Sequence, residues 1–405
     1  MSKNAQKTAW ILVIVAALGY FVDVFDILLF AVIRTTSLKG IGVPDAELLN
    51  VGVRIINSQL IGMLVGGILC GVLGDKKGRL SVLFGSILLY STANFFNAYV
   101  TTVDQYVWLR FIAGVGLAGE LGAGVTLVTE TLPQNLRGIG TMIISTVGVA
   151  GGLVAALVGK LMPWSTAYII AGCMGLALLF LRFSVRESEL FKKHSSHPSR
   201  GNLLHLFSSG ARTKKFFASV LSGVPIYFVL AIVVTFAPEI GAAKGLGKSL
   251  TAGDAIFYSY VGFIAGDMLS GLISQWAKSR KTALYLFIFL NAIVCYLFLG
   301  SRSMTLDLAH WYYLVIGTFS GYWAVIVTVG AEQFGTNLRA TTSTIIPNLI
   351  RASVVPINLL MKQYIPEIGI ISVCLITLVF VSILALMATT QLDETFSKHM
   401  DFVES

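Results

Sequence analysis

Charge is what this chain has least of. Only 12% of its 405 residues are Asp, Glu, Lys or Arg, against 56% that are hydrophobic, whereas soluble globular chains average roughly a quarter charged residues. Too little polar side chain is present to cover a soluble body of this size. Cysteine is also sparse: Cys70, Cys173, Cys295 and Cys374 stand far apart, each inside an apolar stretch. That spacing excludes a disulfide framework, a redox motif and a thiolate metal site. Of the 5 histidines, His310 borders an apolar run and the rest lie in hydrophilic stretches, so no metal set forms. Missing as well is any nucleophile–base set, so an enzyme is not expected. The stretch "GAAKGLGKS" at 241–249 imitates a phosphate-binding loop, but position 242 is Ala where the pattern needs Gly. No strand precedes it either, so nucleotide-driven pumping is not implied, and no cofactor is. The net charge of +9 does not form a basic domain. Its largest cluster, Arg186 to Lys215, lies between hydrophobic blocks, which argues against nucleic acid.

Apolar residues are abundant, and they come in runs long enough to cross about 30 Å of hydrocarbon, which takes roughly 20 helical residues. Mean hydropathy is +0.81. Breaks at charged residues, Gly and Pro divide the runs into twelve spans. They lie near 10–33, 48–73, 80–100, 104–131, 138–161, 164–185, 214–240, 252–276, 281–299, 309–334, 340–365 and 368–391. Lys3 and Lys7 ahead of the first run imitate a signal peptide. However, that run continues past Phe30 without a small-x-small cleavage site, and it reads as a retained helix. An even number of spans puts both termini on one side. Placing them inside assigns most of the 29 Lys and Arg residues to inner loops, the bias expected of cytoplasmic segments. The expected location is thus a cell inner membrane, with termini and the hydrophilic linker 186–213 in the cytoplasm and lipid around the spans.

The halves on either side of that linker, 1–185 and 214–405, are copies. Gly62, Gly66 and Gly71 of "GMLVGGILCGVLGDKKGR" recur in "GFIAGDMLSGLISQWAKSR" as Gly262, Gly266 and Gly271. "ETLPQNLRG" at 130–138 matches "EQFGTNLRA" at 332–340. A duplicated six-helix unit points to a transporter whose site lies between two rocking halves.

The first copy carries a signature, Gly71-Val-Leu-Gly-Asp75-Lys-Lys-Gly78-Arg79. Span four opens with Arg110-x-x-x-Gly114-x-Gly116 and closes with Glu130-x-x-Pro133-x-x-x-Arg137-Gly138. In these motifs the sequence resembles the major facilitator superfamily, over essentially its whole length. "VRESELF" and "GVGLAGELGAG" resemble the metabolite:proton symporter branch, and Asp23-x-x-Asp26 the aromatic-acid and nicotinate uptake relatives. The resemblance implies an all-α membrane protein of the major facilitator fold, twelve transmembrane helices in two pseudo-symmetric six-helix bundles, working by alternating access. Departures are visible. In the second copy the signature Asp is Gln275 and its Gly is Lys278, and "GVAGG" at 148–152 lacks the Gly-Pro pair of proton-driven drug exporters. The latter favours uptake.

The candidate site rests on charge placed where hydrocarbon should forbid it. Each charged residue at a helix centre costs about 2.5–3.5 kcal/mol on insertion scales, so Asp23 and Asp26 must face partners or water. Three residues apart, they share one helix face. Two such carboxylates repel and resist full ionisation, so the pair can hold or release a proton. Arg110 lies at a similar depth, and the resemblance places spans one and four on one cavity. Two readings stay open: a switch in which protonation frees Arg110 for an anion, and a permanent Asp–Arg pair. Glu120 is a second proton site or a packing hydrogen-bonder. Arg54, Arg110 and Arg351 are candidate anion contacts, with Asp267 able to neutralise Arg351 instead. Tyr227, Tyr322, Trp323 and Asn57 are candidate cavity residues, Trp323 by stacking on a flat substrate. Asp75, Arg79, Glu130 and Arg137, with Glu332 and Arg339 from the second copy, form a candidate cytoplasmic gate or a static salt-bridge cluster. The expected function is secondary active uptake of a small organic anion or zwitterion with protons. Sodium stays open as the coupling ion, and export of drugs or metabolites and uptake of a neutral solute such as a sugar stay open as alternatives.

Overall fold

A computed structural model describes residues 3–182, 203–247, 249–302, 304–396 and 398. Among them twelve helices are long and apolar enough to cross a membrane: Ala9–Gly40, Asp45–Lys77, Leu80–Asn97, Val103–Val128, Gly138–Leu161, Trp164–Arg182, Gly210–Val234, Ala252–Trp276, Arg280–Gly300, Leu306–Glu332, Arg339–Ile368 and Ile370–Thr390. They are called spans one to twelve below. The sequence expectation differs most at span one, which continues seven residues beyond 33 because Arg34 is buried against Glu239 instead of ending the helix. Side-chain caps start four spans where the chain turns at the surface. Thr102 accepts from the N–H of Gln105, Thr251 from Asp254, Ser279 from Thr282 and Thr305 from Leu308, each satisfying a donor that the helix leaves open.

Apolar side chains gain nothing by leaving lipid for one another, so close backbone packing must hold the helices together. The repeated glycines provide it. A Cβ at Gly62 or Gly66 would strike the carbonyls of Phe111 and Val115 in span four; one at Gly262 or Gly266 would strike those of Leu314 and Thr318 in span ten. The duplication read from sequence is therefore a duplicated helix contact. Because the obstacle is backbone, Gly266→Val is expected to abolish a monodisperse peak in detergent size-exclusion chromatography. The signature's Gly78 sits at φ 101°, a region that L-residues avoid. Its counterpart Lys278 keeps a positive φ of 51°, so the turn survives the substitution in the less demanding left-handed helical region.

Three spans are irregular, and all lie in the second copy. Span seven changes from α-helix to a π turn at Val229–Val234. Span ten breaks between Leu306–Ser320 and Trp323–Glu332, and span eleven bends at Ser353 between Arg339–Ala352 and Val354–Ile368. Such interruptions are tolerated only where other groups satisfy the freed backbone.

Spans one to six touch spans seven to twelve at both ends. Near the end bearing the termini, Asp75 Oδ2 accepts from the Thr341 N–H (2.9 Å) and hydroxyl (2.6 Å), Thr126 meets Ser343 (2.7 Å), and Thr141 meets Thr328 (3.1 Å). At the far end Arg34 pairs with Glu239 (2.8 Å), Lys160 with Asp254 (3.3 Å), and Asn358 donates to Asn57 (2.9 Å).

Candidate functional site

Of the proposed gate residues, Asp75 is buried and serves as an acceptor at the start of span eleven, where the helix N-terminus favours negative charge. The side chains of Arg79, Glu130 and Arg137 lie outside the described residues. In the second copy Glu332 pairs with Arg280 (3.4 Å) and accepts from Thr395 (2.8 Å), while Arg339 is buried at the head of span eleven. Arg280 was missed because the second signature is degenerate around it. Next to this pair the tail folds back. Glu394 accepts from Ser279 Oγ (2.5 Å) and from the N–H of Arg280 (2.9 Å). Burial pushes this carboxyl up, but the hydrogen bonds from Ser279, Arg280, Phe396 and Lys281 outweigh it and hold Glu394 below the usual glutamate range. Such a clamp is complete above the free glutamate value, about 4.3, and is released as pH falls through the lower folded value. Glu394→Gln is expected to speed amide exchange at 279–282 at neutral pH, and acidification below the folded value to do the same in the wild type.

At the centre, the two aspartates of span one part company. Asp26 is fully enclosed with Arg110: Nη1 donates to Asp26 Oδ1 at 2.9 Å, Nη2 to the Asp26 carbonyl at 3.1 Å, and Nε to Gln59 at 3.3 Å. Asn94 Nδ2 donates to the other oxygen of Asp26 at 2.8 Å, and the guanidinium lies over the Tyr168 ring. Every strong valence of this pair is met. Asp23 is buried as completely, yet neither oxygen accepts a hydrogen bond. Its charged neighbours are Arg351, Arg182 and Asp26. The sequence left open which of Asp23 and Asp26 approaches Arg110. Asp26 is the one in contact, while Asp23, about 60° round the same face of the helix, has Arg351 and Arg182 as its charged neighbours.

Arg351 is the other buried cation. Its Nε donates to Tyr227 at 2.8 Å, Nη1 to Asn348 at 3.1 Å and Nη2 to Tyr20 at 3.5 Å, and its guanidinium lies 5.4 Å from the Trp323 ring centroid. No carboxylate among the described residues is within ion-pair distance of it. Asp267, the sequence candidate for that role, accepts instead from the Ala324 N–H at 2.8 Å. It caps the second half of broken span ten, and so holds Trp323 against Arg351 and Tyr227.

Four sequence candidates fall elsewhere. Arg54 is exposed and paired with Asp104 at 2.9 Å, on the outer face of span two and not the one that packs inward. Asn57 is a tie to span eleven at the far end. Tyr322 donates to the Ser222 carbonyl at 3.2 Å and lies beside Phe287 of span nine, whereas Trp323 meets Tyr227 and Arg351. Glu120 is paired with Arg182, well within the first six spans. Sequence reasoning overlooked Tyr20, Asn94, Asn348 and Arg182. A search of each span for any buried-depth polar residue would have found them.

The space between these groups is small. One cavity of about 50 Å³ lies between Ile27, Leu60, Tyr227, Leu230 and Tyr260, and one of about 10 Å³ beside Trp323. Organic ligands occupy sites of about 300–1,000 Å³, so this closed conformation must open before a solute larger than a few waters enters.

Similarity agrees with this architecture. The chain is 26% identical over 371 residues, 82% of either chain, to the niacin transporter NiaP of Acinetobacter baylyi. It is 31% identical over 195 residues, 46% of this chain and 42% of the other, to the 4-hydroxybenzoate transporter PcaK of Pseudomonas putida. The proton:xylose symporter XylE, solved with 6-bromo-6-deoxy-D-glucose, shares the fold with a TM-score of 0.78, covering 98% of both chains at 15% identity. The Major Facilitator Superfamily model matches residues 9–354. Twelve apolar spans, a duplicated glycine contact and ionisable groups buried between the halves are thus those of a membrane transporter, and the chain belongs to the Major Facilitator Superfamily.

Proposed function

We propose that this transporter takes up a small aromatic carboxylate together with protons. Two six-helix units, 1–185 and 214–405, rock about the buried centre, and 186–213 links them on the cytoplasmic side of the inner membrane. The observation that carries the reading is Arg351: a fully buried guanidinium, ringed by Tyr20, Tyr227 and Trp323, with no carboxylate among the described residues within ion-pair distance. Burying an unpaired charge costs several kcal/mol unless a partner arrives, and an anionic substrate is such a partner. The aromatic faces suit a flat ring. Niacin and 4-hydroxybenzoate, named for two relatives, each combine a ring with a carboxylate. A neutral sugar would leave Arg351 uncompensated.

For the proton, Asp23 suits the role better than Asp26. A carrier must exist in both states, and Asp26 is tied to Arg110 by contacts that need its charge. Asp23 has no such contact and lies within the field of Arg351. With Asp23 ionised, it neutralises Arg351; with Asp23 protonated, Arg351 is left for the substrate. Entry of a proton and of an anion are thereby linked.

The test uses proteoliposomes with a trapped pH dye, to which aromatic carboxylates, aliphatic acids, amino acids, phosphate, sugars and sodium salts are presented in turn. Lumenal acidification with aromatic carboxylates is the expected result. Transport of a sugar alone, or carboxylate transport driven by sodium without pH change, would overturn the reading.

A further inference from the structure

Below Asp23, towards the end bearing the termini, lies a second set of buried ionisable groups. One helical turn before Asp23 in span one is Gly19. A Cβ there would land on the Glu120 carboxylate and on Arg182 Nη2. The glycine is a notch that admits this ion pair, Glu120 from span four and Arg182 from the end of span six, against span one. Both members are buried, yet Glu120 Oε2 and Arg182 Nε and Nη1 have no hydrogen-bond partner. Buried donors and acceptors left in this state cost about 1–3 kcal/mol each. Their cost is understandable if a second arrangement uses them. Among the described residues, the charges facing the set come from neighbouring spans: Asp23 feels Arg182, Arg351 and Asp26, and the Tyr90 hydroxyl of span three interacts with Arg182 and Asp23. On the terminal side a cavity of about 10 Å³ is bounded by Leu12, Val15, Leu80, Leu83, Leu127 and Arg182. That is about the volume of one water, but Arg182 is the one polar side chain in its wall, fewer than the 2–4 partners a buried water takes.

We propose that Arg182 is a counter-ion shared between Glu120 and Asp23, giving the first six spans a proton-release route separate from the substrate's path past Arg351. The inference rests on the proton-coupled reading above. When Asp23 holds the proton, Arg182 stays on the Glu120 carboxylate, as in this structure. When the proton passes to Glu120, that carboxyl becomes neutral and its hold on Arg182 ends. The guanidinium then turns to the Asp23 carboxylate left behind. One proton and one guanidinium change places between two carboxylates, so the trio keeps the same total charge, and no uncompensated ion is created in hydrocarbon. Glu120 afterwards releases its proton on the terminal side, where Arg182 borders the small cavity. Arg182 touches no substrate; it positions the charge.

The experiment follows the protonated-carboxyl infrared band of the reconstituted protein through a pH titration, beside proton-driven accumulation of an aromatic carboxylate. Glu120→Gln should remove one titrating step from the band, and Arg182→Gln should shift the steps of both carboxyls. Each should lower accumulation by about tenfold or more, in line with loss of a positioned acid–base group. Gly19→Ala, which closes the notch while keeping every ionisable group, should separate the two steps and slow accumulation too. An infrared titration unchanged in Glu120→Gln would overturn the proposal, as would wild-type accumulation in that variant. Because the infrared reading needs no transport, the two proposals fail differently. A wild type that moves carboxylate without protons, yet shows a Glu120 step that shifts in Arg182→Gln, removes the symport reading and keeps the shared counter-ion.

Discussion

Arg351→Met should abolish high-affinity transport of aromatic carboxylates while leaving the protein as stable as the wild type or more so. The affinity loss follows from the contacts a carboxylate would make there. Two hydrogen bonds to a charged group contribute about 1.5–3 kcal/mol each, so roughly 3–6 kcal/mol disappears, or at least about a hundredfold in KM. The stability side is less intuitive. Among the described residues Arg351 has hydrogen bonds to Tyr227, Asn348 and Tyr20 but no ion pair, so with Asp23 protonated the unliganded protein bears the desolvation of a guanidinium without a facing charge. Replacing a buried charge that has no ion-pair partner by an apolar side chain of similar volume removes a desolvation penalty of several kcal/mol, which offsets the hydrogen bonds lost to Tyr227 and Asn348. Arg351→Lys keeps the charge but not the planar fork that reaches Tyr227 and Asn348 together, and it should fall between the two. Initial rates in proteoliposomes and thermal unfolding in detergent give both readings on one preparation. Carboxylate uptake by Arg351→Met with the wild-type KM would leave the anion reading without its support.

What the sequence disclosed and what it hid divide along a physical line. Hydropathy reports position along the membrane normal, and all twelve spans were legible from it to within a few residues, apart from the longer span one and span seven, which runs over 210–234 and not 214–240. Glycine spacing disclosed the repeat, since only backbone contact demands it at Gly62, Gly66, Gly262 and Gly266. Orientation around the helix axis was not legible. Arg54 and Arg110 satisfy the same argument from depth, yet Arg54 is on the exposed side with Asp104 and Arg110 is enclosed with Asp26. The break in span ten was equally hidden. Gly321 permits it, but the cap that sustains it, Asp267, comes from another span. Buried charge announces that a partner exists; which partner is decided by packing that no local pattern encodes.

The same reasoning separates the two aspartates by experiment. Asp26→Asn should destabilise the protein by about 3–5 kcal/mol, the usual cost of removing one member of a buried ion pair, because Arg110 keeps its charge and loses its counter-charge. Asparagine still offers an acceptor, but it faces Asn94 Nδ2 and Arg110 Nη1 with one carbonyl oxygen in place of two. Asp23→Asn breaks no hydrogen bond and should change stability little, yet it fixes the side chain in the neutral state. Arg351 then stays available to substrate: exchange of labelled for unlabelled carboxylate should persist while accumulation driven by a pH gradient is lost. Combining Asp26→Asn with Arg110→Gln removes both charges, and most of the lost stability should return, the non-additivity expected of two residues in one ion pair. Loss of exchange in Asp23→Asn with accumulation intact in Asp26→Asn would exchange the roles assigned to the pair. Equal loss of stability in both single variants would mean that Asp23 has a structural partner of its own. The division of labour is what three residues of helix can achieve: one carboxylate sealed so that its charge anchors spans one, three and four together, the other left unbonded so that its charge can change.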